Sequence, residues 1–146
     1  MFFSTDKSKY PIVKTSFEGL DTRRCQSPIS GYMLENIAIT GQGVIDGNGD
    51  AWRYVKKSKL TDAQWKKLVA SGGVLNDKKN EWYPSDSFKK GIQNVIDQNV
   101  PNVTDEAGWE EIKDFLRPVL LSFVKCKNVW LDGVTFQNSP AWNIHP

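Results

Sequence analysis

The sequence has little of the material from which common active sites are built. It contains a single histidine, His145, among its 146 residues. A Ser-His-Asp triad needs a serine and an aspartate beside its histidine, and a multi-histidine metal site needs additional histidines. The motifs GxGxxG, GxxxxGK[ST], GxSxG and HExxH do not occur. We therefore expect no cofactor and no metal site.

Cysteine, net charge and long apolar runs are also scarce. Two cysteines, Cys25 and Cys126, are too few for a disulfide framework, and the apolar run around Cys126 predicts a small buried side chain. A net charge of +2 gives no reason to expect a nucleic-acid partner. The first twenty residues lack the uninterrupted apolar stretch of a signal peptide, and no run approaches the ~20 apolar residues of a membrane span.

Two segments share the pattern N-[IV]-x-[IL]-x-G and are each followed by a second short β-run. Aligning Asn36 with Asn128 matches Ile37 to Val129, Ile39 to Leu131 and Gly41 to Gly133. Weak repeats of short strands and Asn/Gly turns are typical of stacked β-solenoids. Two unrelated hairpins in a β-sandwich would give the same pattern.

The middle of the chain, residues 53–116, has a different composition and predicts helices. Thr61 and Gln64 have the spacing of a capping box, and Gly72 lies just beyond the predicted helix end. The apolar face of this helix is predicted to contain Trp65, Leu68 and Val69. A second predicted helix has an apolar face with Trp109, Ile112 and Leu116.

Charge is unevenly distributed in this middle segment. Residues 55–90 hold nine lysines and four acids, whereas residues 91–116 hold six acids and one lysine. The two halves face each other or solvent in one interpretation. In the other, the lysine-rich half shapes a groove for an anionic ligand.

Candidate chemistry comes from two aspartates and from the final segment. Asp46 in "IDGNG" and Asp132 in "LDGVTF" precede glycines, so each is either a turn residue or a catalytic carboxylate. Asn138, Trp142 and His145 follow the last strand pattern. An exposed ring with amide and imidazole partners suits a sugar, although Trp142 covering a core and a structural His145 explain the same residues.

Two stretches in this order resemble polygalacturonase-like glycoside hydrolases of family 28. "NIAITGQGVIDGNGDAW" is similar to the family's I-x-G-x-G-x-I-D-G-x-G-x-x-W pattern. "RPVLLSFVKCKNVWLDGVTFQNSPAWNIHP" is similar to its next landmark, R-P-x-x-[ILV]-x-F running into N-V-x-[IL]-x-G and N-S-P-x-W. The resemblance extends from about Tyr10 to Pro146.

The resemblance implies an all-β fold, a partial right-handed parallel β-helix with a small helical insertion. Its N-terminal rungs would occupy residues 1–52, the insertion 53–116 and the next rung 117–146, within a single domain. Asn36 and Asn128 would lie at turns, where their amides cap the turn backbone. The helical insertion is also similar to those of longer members of the family.

The implied activity is inverting hydrolysis of α-linked galacturonic acid or related pectic glycosides, which uses two carboxylates about 6.5–9.5 Å apart. The family's N-T-D, D-D, G-H-G and R-I-K motifs do not occur, so we predict no catalytic residue here and place those motifs beyond Pro146. The chain is then an inactive piece of a secreted or periplasmic enzyme. Asn138, Trp142 and His145 would contact a pectic polysaccharide or oligogalacturonide. A non-catalytic carbohydrate-binding β-solenoid is the alternative.

Overall fold

The computed structural model describes residues 1–97 and 100–145. Pro146, with which the predicted last rung ends, lies outside the described residues. The chain divides into two compact units. The first unit comprises Met1–Pro11, Cys25–Ala51 and Arg117–Pro146, and the second comprises Ile12–Arg24 and Trp52–Leu116.

Among residues 1–97 and 100–145, the regular elements are short strands and three α-helices. The strands are β1 Ile12–Phe17, β2 Leu20–Cys25, β3 Ile29–Tyr32, β4 Glu35–Thr40, β5 Val44–Asp46, β6 Val55–Lys56, β7 Val74–Leu75, β8 Glu81–Tyr83, β9 Val95–Asp97, β10 Val100–Pro101, β11 Leu121–Val124, β12 Lys127–Asp132, β13 Thr135–Gln137 and β14 Ile144–His145. The helices are α1 Asp62–Ala70, α2 Asp86–Gln93 and α3 Glu106–Glu111.

The first unit is built from parallel strand pairs. β11 pairs with β3, β12 with β4 and β13 with β5, all in parallel, and β14 lies on the other side of β11. Val129 lies opposite Ile37 and Leu131 opposite Ile39. This is the register that the sequence repeat predicts, because equal spacing of the apolar residues keeps them on one face of both strands.

The repeated asparagines form a contact between the paired strands. Asn36 and Asn128 both have left-handed backbones, with φ of 57° and 55°. The side-chain nitrogen Nδ2 of Asn128 donates to Oδ1 of Asn36 at 2.8 Å. The family resemblance implied that each amide would cap turn backbone. Parallel strands in register place equivalent residues about 4.8 Å apart, which is close enough for the two amides to bond to each other instead.

The prediction of a parallel β-helix is wrong. Among the described residues, each sheet has two or three strands, and β6, β8 and β7 form an antiparallel sheet, as do β9 and β10. A solenoid needs about three or more stacked repeats to bury a continuous core. Here the repeat occurs twice, and a mixed helical and antiparallel segment separates its copies. The fold is mixed, with strands and some helix.

Burial in the first unit differs from the prediction at one cysteine. Leu120 and Leu121, at the start of β11, are fully buried, as is Cys25. Cys126 is only partly buried, and its Sγ lies 3.6 Å from the carbonyl oxygen of Val124. It occupies the turn between β11 and β12, where the chain leaves the apolar interior.

The second unit begins its first helix as predicted. Thr61 is the N-cap of α1, and both bonds of the capping box with Gln64 are present. Trp65 is buried and Leu68 is partly buried, but Val69 is exposed, so the buried face of α1 is narrower than predicted. In the second predicted helix, Trp109, Ile112 and Leu116 are buried as expected, but α3 ends at Glu111 and Lys113–Phe115 form a 3-10 turn.

A helix that the sequence did not predict, α2, packs on the segment after α3. Ser85 caps α2 through the backbone N–H of Phe88 at 3.2 Å. The rings of Phe88 and Phe115 meet edge to face with centroids 5.5 Å apart. A Cβ atom at Gly91 would lie 2.2 Å from the Cβ of Phe115. Glycine therefore allows this close approach, although it weakens the helix signal in the sequence.

We expect Gly91→Ala to lower the free energy of unfolding by about 1–3 kcal/mol, because the added methyl group overlaps a buried side chain. Gly43→Ala is the matched control, since a Cβ atom there meets nothing within 4 Å. We expect that control to change stability by less than about 0.5 kcal/mol. Urea unfolding followed by circular dichroism measures both. Equal stability of the two variants would contradict the packing of α2.

Candidate functional site

A carboxylate at the end of β5 joins the two segments that carry the family resemblance. Asp46 is 7% exposed. It accepts hydrogen bonds from the backbone N–H of Asn48 at 2.8 Å, from Nε2 of Gln137 at 2.9 Å and from Nδ2 of Asn138 at 3.1 Å. The "IDGNG" and "QNSPAW" segments, distant in sequence, are therefore in direct contact.

These donors hold the pKa of Asp46 below its usual range. The backbone N–H of Asn48 has the largest effect, followed by the amide of Gln137, and the amide of Asn138 and the N-terminal ammonium act in the same direction. Bonds to the charged form stabilise it. A general acid in glycoside hydrolysis needs a raised pKa instead. The lowered pKa therefore argues against Asp46 as a general acid, and its bonds to Asn48, Gln137 and Asn138 favour the turn role.

Two glycines allow the segments to approach this closely. The N–H of Gly47 donates to the carbonyl of Gln137 at 3.0 Å, and that of Gly49 to the carbonyl of Asn138 at 2.7 Å. A Cβ atom on Gly49 would lie 2.4 Å from the carbonyl oxygen of Ser139. The glycines of "DGNG" are therefore needed for backbone contact with the chain at the end of β13.

The turn after β13, residues 139–143, has its backbone held by several hydrogen bonds; we call it the Trp142 turn. Oγ of Ser139 donates to the carbonyl of Trp142 at 2.7 Å, and the N–H of Ser139 donates to Oδ1 of Asn143 at 3.3 Å. The N–H of Leu120 also donates to the carbonyl of Trp142 at 3.0 Å. The Trp142 turn is thus fixed both within itself and against the start of β11.

The three predicted substrate-binding residues lie in different environments. Trp142 is 53% exposed, so its ring is open to solvent above a fixed backbone. His145 is partly buried in β14 and lies opposite Ser122 of β11. Asn138 has a left-handed φ of 51° and directs its amide nitrogen to Asp46. Asn138 therefore positions the turn, while Trp142 offers the accessible surface.

Asp132, the second aspartate of the sequence analysis, lies at the exposed end of β12 opposite Thr40. Trp130, on the same strand, is 65% exposed and lies opposite Ala38. Exposure leaves both side chains accessible to a ligand. The sequence singled out Asp132 but not Trp130, because alternation in a strand does not tell which face is covered.

In the second unit, lysines are paired with acids. Lys90 forms an ion pair with Glu111, and this pair links the lysine-rich half to the acidic half. The hydrogen bond that Lys90 donates to Glu111 raises the pKa of Lys90. Lys89 donates to the carbonyl of Leu75 at 3.1 Å and lies 3.4 Å from Asp77. Of these contacts, the pair of Lys90 with Glu111 favours the interpretation in which the halves face each other.

Within the part of the chain that the structure describes, no group of three or more His, Cys, Asp or Glu side chains is placed to hold a metal ion. None of the helices among those residues is long and apolar enough to cross a membrane.

Comparison of the chain with protein-family models, curated proteins and solved structures finds no match. The functional argument therefore depends on the residues of the chain and on the resemblance of its motifs.

Asn48 is part of the candidate site but was not predicted. Its backbone N–H donates to Asp46, and its Nδ2 donates to the carbonyl of Phe3 at 2.7 Å. An aspartate that accepts from the N–H two residues later forms an Asx turn, and the D-G-N spacing is the sequence signal for it. The bond to Phe3 has no such local signal.

The lowered pKa of Asp46 predicts how stability depends on pH. The unfolded chain titrates this carboxyl near pH 3.9, and the folded chain titrates it at a lower pH. Its contribution to stability is therefore complete above about pH 4 and is lost as the pH falls through the folded pKa. We expect Asp46→Asn to be less stable at neutral pH and to lose less stability on acidification.

Thermal unfolding between about pH 2 and pH 7 measures this, since the range brackets the unfolded pKa. Asp132→Asn, which alters an exposed carboxylate, is the control and should follow the wild type. An acid dependence of Asp46→Asn identical to that of the wild type would show that the three bonds do not stabilise the charged form.

Proposed function

We propose that this chain contacts the substrate of a glycoside hydrolase that cleaves α-linked galacturonic acid or related pectic glycosides. The exposed ring of Trp142 on its hydrogen-bonded turn is the observation that carries this proposal. Aromatic rings pack against the apolar C–H faces of sugars, and a fixed backbone reduces the entropy lost on binding. The motif resemblance supplies the substrate class.

Asp46 fits this proposal as a positioning residue. Its carboxylate holds Asn138, and the adjoining backbone bonds hold the start of the Trp142 turn. His145 follows in β14 and offers an imidazole for a sugar hydroxyl or carboxylate. In an inverting reaction, a protonated acid and a carboxylate base act on opposite sides of the sugar. We assign neither role to Asp46, and the proposal leaves both to residues outside this chain.

A second function is non-catalytic carbohydrate binding. It needs only the exposed ring of Trp142 on its hydrogen-bonded turn, with no residue that transfers a proton. The two functions share the binding surface and differ in turnover.

We expect Trp142→Ala to weaken binding of oligogalacturonides at least about tenfold, which corresponds to about 1.4 kcal/mol. Trp130→Ala is the matched control, because it removes another exposed indole of the first unit. We expect it to retain affinity within about twofold, since the truncated ring lies outside the proposed contact. Isothermal titration calorimetry with a defined oligomer measures both. Equal affinities of both variants and the wild type would contradict the assignment of Trp142.

Release of reducing ends from polygalacturonate separates the two functions. The assay uses the protein as its gene encodes it, with Trp142→Ala in the same background. Hydrolysis with inversion at the anomeric carbon, reduced in the variant, supports the hydrolase. Binding that depends on Trp142 without any release of reducing ends supports the non-catalytic function.

A further inference from the structure

The first unit contains a cavity that no motif predicted. Its volume is about 320 Å³, and it lies between the N-terminal segment and residues 26–30. Small-molecule sites usually span about 300–1,000 Å³. The volume therefore suits a ligand of monosaccharide size.

Hydrogen bonds within the N-terminal segment and between it and Gln26 hold the lining residues in place. The N–H of Gln26 donates to the carbonyl of Pro11 at 2.9 Å. The hydroxyl of the buried Tyr10 donates to the carbonyl of Ser4 at 2.6 Å. The cavity is thus held open by the fold, which lowers the ordering cost of binding a ligand.

The position of Lys9 is set by a capped turn. Lys7–Lys9 form a single 3-10 turn, and the carboxylate of Asp6 caps it by accepting from the N–H of Ser8 at 3.1 Å and from its hydroxyl at 2.6 Å. These two bonds lower the pKa of Asp6. Lys9, at the end of the turn, lines the cavity.

The lining has three kinds of chemistry. Lys9 is its only charged side chain among the described residues. Gln26 and Ser30 supply an amide and a hydroxyl, and Nε2 of Gln26 lies 3.4 Å from Oγ of Ser30. Phe3 and Pro28 supply apolar surface. A complementary ligand carries one negative charge, several hydroxyl groups and an apolar C–H face.

We propose that this cavity binds a sugar acid of monosaccharide size, whose carboxylate pairs with Lys9 and whose hydroxyls contact Gln26 and Ser30. The site is separate from the Trp142 turn, and the inference does not depend on the proposed function. Because the cavity is small and its polar groups are few, we expect a dissociation constant in the millimolar range, about 1 mM.

Galacturonate and galactose are the matched probes, because galactose has the same ring hydroxyls without the carboxylate. Each is titrated into the ¹⁵N-labelled chain to about 20 mM, well above the expected constant. We expect galacturonate to shift the amide resonances of Lys9, Tyr10, Gln26 and Ser30 saturably. Galactose should bind at least about tenfold more weakly, since it forms no charge-assisted bond.

Lys9→Met keeps most of the side-chain length and removes the charge, and we expect it to weaken galacturonate binding at least about tenfold. Lys59→Met is the control, because Lys59 also ends a Lys-Ser-Lys 3-10 turn but lies in the second unit. This control should bind galacturonate like the wild type. Trp142→Ala should also leave the shifts unchanged, which separates this site from the proposed function.

Three results would overturn the inference. These are no shift at the four amides, an unchanged affinity in Lys9→Met, and equal binding of galacturonate and acetate. The last result would mean that the cavity binds any small anion and does not recognise the sugar.

Discussion

The carboxylate of Asp46 is the interaction on which the first unit depends. It ends β5, forms an Asx turn with Asn48, and accepts bonds from Gln137 and Asn138 at the end of β13. The backbone N–H groups of Gly47 and Gly49 donate to Gln137 and Asn138 at the same junction. Burying an acceptor without its donors costs free energy, so these hydrogen bonds form together or not at all. One charged group thereby fixes the alignment of two segments about ninety residues apart in sequence.

Hydrogen bonding is important in this unit because apolar burial is modest. Val129 and Leu131 occupy the expected register opposite Ile37 and Ile39, yet both remain exposed. Hydrophobic stabilisation is proportional to the apolar area removed from water. Half-covered side chains therefore contribute only part of the stabilisation that full burial would give. The amide contact between Asn36 and Asn128 adds a directional restraint that selects this register. Polar contacts therefore specify the alignment that packing alone leaves weakly determined.

The sequence allowed prediction of features that depend on nearby residues or on a repeated spacing. The capping box of Thr61 and Gln64 and the register of β4 with β12 belong to this class. The overall fold did not follow, because β6, β7 and β8 are too short to show a strand period, and their antiparallel pairing is set by tertiary packing. Helix α2 was missed for a related reason. Gly91 looks unfavourable for a helix until the ring of Phe115 is placed against it.

In the candidate site, the sequence indicated which residues cluster but not how they divide their roles. Asn138 and Trp142 are four residues apart, and the sequence alone left open whether they contact a sugar or stabilise the fold. The left-handed backbone at Asn138 turns its amide inward to Asp46, whereas bonds to the carbonyl of Trp142 fix the chain and leave the ring in solvent. An exposed indole on a mobile loop would lose conformational entropy on binding. On the Trp142 turn that entropy is already lost in folding, so ring contact with a ligand translates more fully into affinity.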